Sequence, residues 1–252
     1  EVDVILLPLL VGYSLALTAG LSLKGVRSRT AIAGPVPAAP PRKVLIVGAT
    51  GGTGRQLLEQ ALARDLEVTA LVRDPRALTL SHPHLRVVVG DVLDPAAVDE
   101  AVCGQDAVLC ALGHRRYFPP SRVLSEGTRN LLRAMEGYGV PRFVCVTSLG
   151  VGDSAGRLGL AYTLVVIPFV LPFYFWDKAR QERLIEAGRT PWVIVRPGGL
   201  TDGPGRGDRR AGRGVGSFFE TVRVPRADVA AFVLDQLTDD TWLGAAVGIG
   251  RS

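Results

Sequence analysis

The chain has 252 residues, 47% of them hydrophobic, with a formal net charge of +5 and a mean hydropathy of +0.25. That length suits one large α/β domain with additional segments, and the apolar excess points to membrane-length runs. Scattered basic residues with few aromatics among them argue against a nucleic-acid partner, and three cysteines (Cys103, Cys110, Cys145) without C-x-x-C spacing argue against a disulfide framework or a metal site and for a reducing compartment.

Val4 to Leu23 contains no charged residue. About 20 apolar residues are enough for a bilayer-spanning helix, so residues 1–23 are expected to form an apolar, membrane-associated, transmembrane-length helix. The run also fits a targeting-peptide remnant or a surface packed on a partner. No Asp or Glu occurs between Asp3 and Glu59, whereas Lys24, Arg27, Arg29, Arg42, Lys43 and Arg55 do. Basic residues after an apolar run suit an anionic membrane surface. Residues 24–41, rich in Pro, Ala and basic side chains, read as a linker.

From residue 42 to 252 strand and helix patterns alternate, which predicts a doubly wound, Rossmann-like parallel sheet with crossover helices. Strands are expected at 43–49, 67–73, 85–91, 106–113, 142–150 and 191–200. Helices are expected at 54–64, 94–104, 123–139, 177–188 and 226–237, with Asp94 as N-cap, Pro95 at the first helical position and Gly139 as a stop. In such a fold the ligand lies at the carboxyl ends of the strands.

The strongest motif is "VLIVGATGGTGRQLL", with Gly48, Gly51 and Gly54 between a buried strand and a helix. The first glycine permits the tight turn. The second lets backbone approach a pyrophosphate, and the third lets the helix pack closely on the strand. The helix N-terminus then offers free N–H groups and the positive end of its dipole. At the end of the second strand, where an NAD site carries an acid for the ribose hydroxyls, the sequence reads "ALVRDP". Arg73 there, with Arg55 nearby, suits a 2′-phosphate and favours NADP(H); Asp74 leaves room for NAD(H).

"VGATGGTG", "VTALVRDP", "VVVGDVLD", "GQDAVLCALG", "SEGTRNLLRAM", "FVCVTSLG" and "WVIVRPGGLTDGP" follow one another in this order. The pattern resembles the atypical short-chain dehydrogenase/reductases of the NmrA-like NAD(P)-binding group, and within it the flavin/biliverdin-IXβ reductase type, over residues 42 to about 249. The resemblance implies that Gly48, Thr50, Gly51, Gly52, Thr53 and Gly54 hold the pyrophosphate and that Arg73 meets the 2′-phosphate. It puts Asp91 and Val92 by the adenine, and Leu112 and Gly113 under the nicotinamide ribose. Thr147 and Ser148 would face the nicotinamide, and Pro197 and Gly198 would back its ring.

Typical members of the wider superfamily use Ser, Tyr and Lys together. By that analogy Ser148, Tyr174 and Lys178 are the catalytic candidates, with Lys178 also a contact to the cofactor. Tyr-x-x-x-Lys works because residues four apart share a helical face, which here requires a helix starting near Pro172. The interval between Ser148 and Tyr174 is unusually long, and the chain between them is mostly apolar. Leu158 to Trp176 carries no charge and forms an apolar insertion at 158–176. Pro168 and Pro172 disfavour a single straight helix there. The insertion fits a pocket for an apolar substrate, a dip into a membrane interface, or a contact within a membrane protein complex. The loop "GPGRGDRRAGRG" (203–214) fits either a mobile, solvated loop or one that closes on the site.

Two functions follow. One is an NADPH-dependent reductase of an apolar, quinone- or flavin-like acceptor, associated with a membrane on a reducing side, organellar or cytoplasmic. The other is a non-catalytic NADP(H)-binding subunit or assembly factor of a membrane complex.

Overall fold

The computed structural model describes residues 12, 13, 16, 40–113 and 120–251. Its elements are β1 (Lys43–Val47), α1 (Gly52–Ala63), β2 (Glu67–Val72), β3 (Leu85–Val89), α2 (Pro95–Val102), β4 (Ala107–Cys110), α3 (Val123–Tyr138) and β5 (Phe143–Val146). A π-helical turn at Tyr162–Val170 comes next. It is followed by α4 (Pro172–Ala187), β6 (Trp192–Pro197), β7 (Gly199–Thr201), β8 (Arg210–Gly212), β9 (Arg223–Pro225), α5 (Arg226–Asp235) and β10 (Ala245–Gly250). The main sheet runs β3-β2-β1-β4-β5-β6-β10-β8. Among the described strands of this sheet, only β8 pairs antiparallel.

This is the doubly wound arrangement, and its chain reverses direction across the sheet between β1 and β4. The reason lies in the strand composition. Successive side chains of a strand point to opposite faces, and a parallel sheet is covered on both. Val44 and Ile46 of β1 join Leu57, Leu58 and Ala61 of α1 and Val229, Ala230 and Val233 of α5 in one core. Leu45 and Val47 join Val98, Leu131, Met135 and Ile185 of α2, α3 and α4 in the other. Each fully buried Val, Leu or Ile contributes about 1.5–3 kcal/mol relative to exposure.

Several elements depart from the expected pattern, among them α4, the segment before it and β10. α4 begins at Pro172, not Asp177: Leu171 (φ −120°, ψ 23°) breaks the preceding turn and Pro172 takes the first helical position. Before it, Pro168 has no N–H for an ordinary ladder, and the segment adopts a wide register in which Leu171 N donates to Val166 O at 2.9 Å. β10 was not anticipated because its glycines carry little strand propensity; its register comes from β6, with Ala245 opposite Val193 and Ile249 opposite Pro197.

The 203–214 loop is tied down, not free. Arg206 N and Gly207 N donate to the Asp228 carboxylate at 3.0 and 3.1 Å, and Arg210–Gly212 forms β8. The expected helix over residues 1–23 lies outside the described residues except for Gly12, Tyr13 and Ala16. Among the described residues, no helix is long and apolar enough to cross a membrane.

Candidate functional site

The site starts where β1 ends. Gly48 has φ of 87°, which L side chains rarely adopt, and a Cβ there would stand 2.6 Å from Ala111 O beyond β4. The chain can therefore turn only with glycine at this point, inside the crevice between β1 and β4. Gly51 N donates to Gly48 O at 3.0 Å and closes the turn. α1 follows with no side-chain cap and no acidic residue in its first turn. Gly51 and Gly52 are exposed, Thr50 is half-buried and Thr53 is buried. Uncapped N–H groups at a positive helix end, bordered by glycines, fit a dinucleotide pyrophosphate.

At the tip of β2, Arg73 and Asp74 are both exposed. Asp74 accepts from Arg76 Nε at 2.9 Å and from Arg76 N at 3.0 Å. The Arg76 side chain, then its backbone N–H, holds the Asp74 carboxyl below its ordinary range. Asp74 is thus engaged by a residue of its own loop. Arg55 reaches the same region, donating to Ala77 O at 3.4 Å. Beyond β3, Asp91 accepts from Leu93 N at 2.9 Å, and Asn130 donates to Val92 O at 3.0 Å. That bond ties the Asp91–Val92 turn to α3.

The other end of the site is built by α4. Tyr174 and Lys178 share one face of this helix, with Lys178 Nζ 5.8 Å from the Tyr174 ring centre. The Tyr174 hydroxyl comes within 3.8 Å of where a Cβ would stand on Gly113. Lys178 is fully buried, and its three donors go to Leu112 O (3.1 Å), Val146 O (3.0 Å) and Gln181 Oε1 (3.1 Å). It thus ties together the carboxyl ends of β4 and β5. Burial works to depress its pKa, but Tyr174, Cys145, Cys110 and Glu182 together outweigh that and raise it, keeping the group a cation.

Thr147 is buried and donates to Glu182 Oε1 at 2.6 Å, whereas half-buried Ser148 donates to Leu149 O at 2.8 Å. Pro197, the last residue of β6, and Gly198 just beyond it are both buried. The strand ends therefore gather Leu112, Gly113, Thr147, Ser148, Pro197 and Gly198 along one edge, with Tyr174 and Lys178 above β4 and β5.

Beneath this edge lies a charge cluster that the sequence reading missed. Arg196 of β6 donates from Nε and Nη2 to the two Glu182 oxygens at 3.0 and 2.7 Å, and also pairs with Asp153. The spacing of these residues along the chain gives no hint of the contact. One turn further along α4, burial, then the nearby Glu182 charge, pushes the Glu186 carboxyl up to about 7. A folded-state pKa above the unfolded value means that stability is fully present below about pH 4.5 and is lost as pH rises through about 7. Glu186→Gln should accordingly leave the urea midpoint near that of the wild type at pH 5 and raise it at pH 8. An equal shift at both values would refute this origin.

Residues 48–240 match the NAD(P)H-binding family. An uncharacterized chloroplastic protein of Arabidopsis thaliana, At2g34460, is 36% identical over 176 residues, covering 66% of this chain and 62% of that protein. The photosystem II assembly factor Ycf39 of Synechocystis is 35% identical over 105 residues, 40% of this chain and 32% of that protein. The chain thus spans less than two thirds of the length of these relatives. The Escherichia coli O157:H7 protein ChuY, described as an anaerobillin reductase, superimposes with a TM-score of 0.69 at 25% identity, over 82% of this chain and 96% of that one. With the glycine turn, the doubly wound sheet and this match together, the chain belongs to the NAD(P)H-binding family of atypical short-chain dehydrogenase/reductases.

Proposed function

We propose that the protein is an NADPH-dependent reductase that delivers hydride directly to an apolar, quinone- or flavin-like acceptor at a membrane surface. The observation that carries this reading is the uncapped glycine cradle at the β1–β4 crevice, continuous with an edge where the Tyr174 hydroxyl approaches Gly113. NADPH, when bound, supplies the hydride. The N–H groups of α1 hold its pyrophosphate. Arg73, with Asp74 engaged by Arg76, meets the 2′-phosphate together with Arg55. Lys178 positions the floor of the site by fixing the Leu112 and Val146 carbonyls. Tyr174 and Ser148 are the hydroxyls at the edge able to orient an acceptor, and Tyr174 is the proton donor.

Side chains around the π-helical segment support an apolar acceptor and a membrane contact. Leu160, Val165, Phe169, Val170 and Trp176 are all exposed, and the Tyr13 ring lies 5.8 Å from that of Phe169. A patch of this kind suits an interface more than open water. An organellar setting follows the chloroplastic relative.

A second reading, a cofactor-binding assembly subunit without turnover, is favoured by the Ycf39 similarity and by Lys178 having its donors committed to the protein.

One assay addresses both. NADPH oxidation with a quinone carried in anionic vesicles should proceed, with the protein co-sedimenting. Binding without turnover for quinone or flavin supports the second reading, and release from the vesicles removes the membrane contact. Cofactor choice is tested by affinity. NADPH should bind more tightly than NADH, and Arg73→Ala should weaken NADPH about tenfold while sparing NADH, as expected for one lost charge-assisted contact. Equal affinities unchanged by the substitution would sink the assignment.

A further inference from the structure

Arg226 opens α5, far along the chain from the glycine turn, and no motif marks it. A Cβ on Gly52 would stand 2.7 Å from both Cδ and Nε of Arg226, and 3.5 Å from its Cζ. The guanidinium therefore lies directly over the exposed first turn of α1, the turn whose N–H groups have no side-chain cap.

Its base is rigid. Gln60 Nε2 of α1 donates to Ala227 O at 3.0 Å, locking the start of α5 to α1. Two residues on, Asp228 is buried and gathers the Arg206 and Gly207 N–H groups, which ties the loop after β7 to the same helix end. Arg226 Nη1 is held by Asp202 Oδ1 at 2.6 Å, from a carboxylate whose side chain is 92% exposed. A pair with so solvated an acid is weak and easily shared. A diphosphate set between the α1 amides and this guanidinium would meet convergent donors from both sides, with a planar fork suited to phosphate oxygens.

We propose that Arg226 is the cation that clamps the dinucleotide pyrophosphate onto the first turn of α1, with Asp202 holding its guanidinium in place. The proposal rests on dinucleotide binding by this site and is independent of the NADP preference and of turnover. It also gives Gly52 a second role, since any side chain there would collide with the clamp.

The test is the affinity of the purified chain for NADPH, for NADH and for adenosine 2′-phosphate, which lacks the pyrophosphate. Arg226→Gln should weaken NADPH and NADH alike, by about tenfold or more, as for loss of a charge-assisted contact, and leave adenosine 2′-phosphate unchanged. Arg226→Lys should recover part of the loss. Wild-type affinity should fall with rising salt more steeply than that of Arg226→Gln, a difference that a purely structural residue would not produce. Loss for NADPH alone would reassign Arg226 to the 2′-phosphate and overturn the clamp. Affinities within twofold of wild type would overturn it too. If Arg226→Gln does not fold, the Lys variant decides: weakened binding of both nucleotides with an unchanged melting curve supports the clamp, because an ammonium lacks the guanidinium fork, and wild-type affinity for both overturns it. A loss of affinity that only tracks a lowered melting temperature overturns it. Failure of the wild type to bind either nucleotide overturns the cofactor site itself, which separates that failure from failure of the clamp.

Discussion

Gly54→Ala is expected to unfold the dinucleotide end of the molecule. A Cβ at this position would overlie the Gly48 carbonyl, 2.6 Å from its carbon and 2.9 Å from Ala49 Cα. Both obstacles are backbone of the turn itself, so no flexible side chain can move aside. α1 would have to lift from β1, taking Leu57, Leu58 and Ala61 out of the core they share with Val44 and Ile46. Overpacking costs typically about 1–3 kcal/mol, and with rigid backbone on both sides the loss belongs at the upper end, about 3 kcal/mol. Urea unfolding would show a lower midpoint, and NADPH affinity would drop with it because the α1 amides move. Gly137 is the control. It lies exposed in α3 with nothing within 4 Å of where a Cβ would stand, and Gly137→Ala should stabilise by about 0.5–1 kcal/mol through reduced freedom of the unfolded chain. If the two substitutions behave alike, the close approach at Gly54 is not what holds α1.

Arg196→Met should be at least as damaging, for a different reason. The Arg196 and Glu182 side chains are 4% and 3% exposed and are joined by two hydrogen bonds. Removing the guanidinium leaves a buried carboxylate with Thr147 as its remaining donor. Breaking one side of a buried pair costs about 3–5 kcal/mol, mostly because the surviving charge stays desolvated. Replacing both partners, as in Arg196→Met with Glu182→Met, should recover much of this, since paired burial is itself costly. Urea midpoints of the single and double variants decide it: a double variant no better than the single would show that the pair contributes through attraction and not through mutual neutralisation. Thr147 stands beside the proposed nicotinamide position, so the single variant should also loosen the cofactor more than its stability loss explains.

Much of this architecture was legible along the chain. β1 to β6 read as apolar runs because parallel strands are buried on both faces, and α1 to α3 read from helical spacing and from Asp94, Pro95 and Gly139. The glycine turn was legible because its demands are local: a left-handed φ at Gly48 and close contact at Gly54 arise within a few residues. α4 was placed late because its first turn, Pro172 to Trp176, is as apolar as the segment before it. The sequence leaves the 203–214 loop open between a solvated form and one that closes on the site, because the acid that ties it, Asp228, belongs to another element.

The sequence by itself therefore determined the fold class, the order of its elements through β6 and the cradle for a dinucleotide, since periodicity and turn chemistry act over short separations. The tertiary structure alone decided which charges meet: Lys178 on the ends of β4 and β5, Arg196 on Glu182, and Arg226 over Gly52. Each of these contacts joins residues distant in the chain. The packing of strands and helices against one another, not local pattern, brings them together.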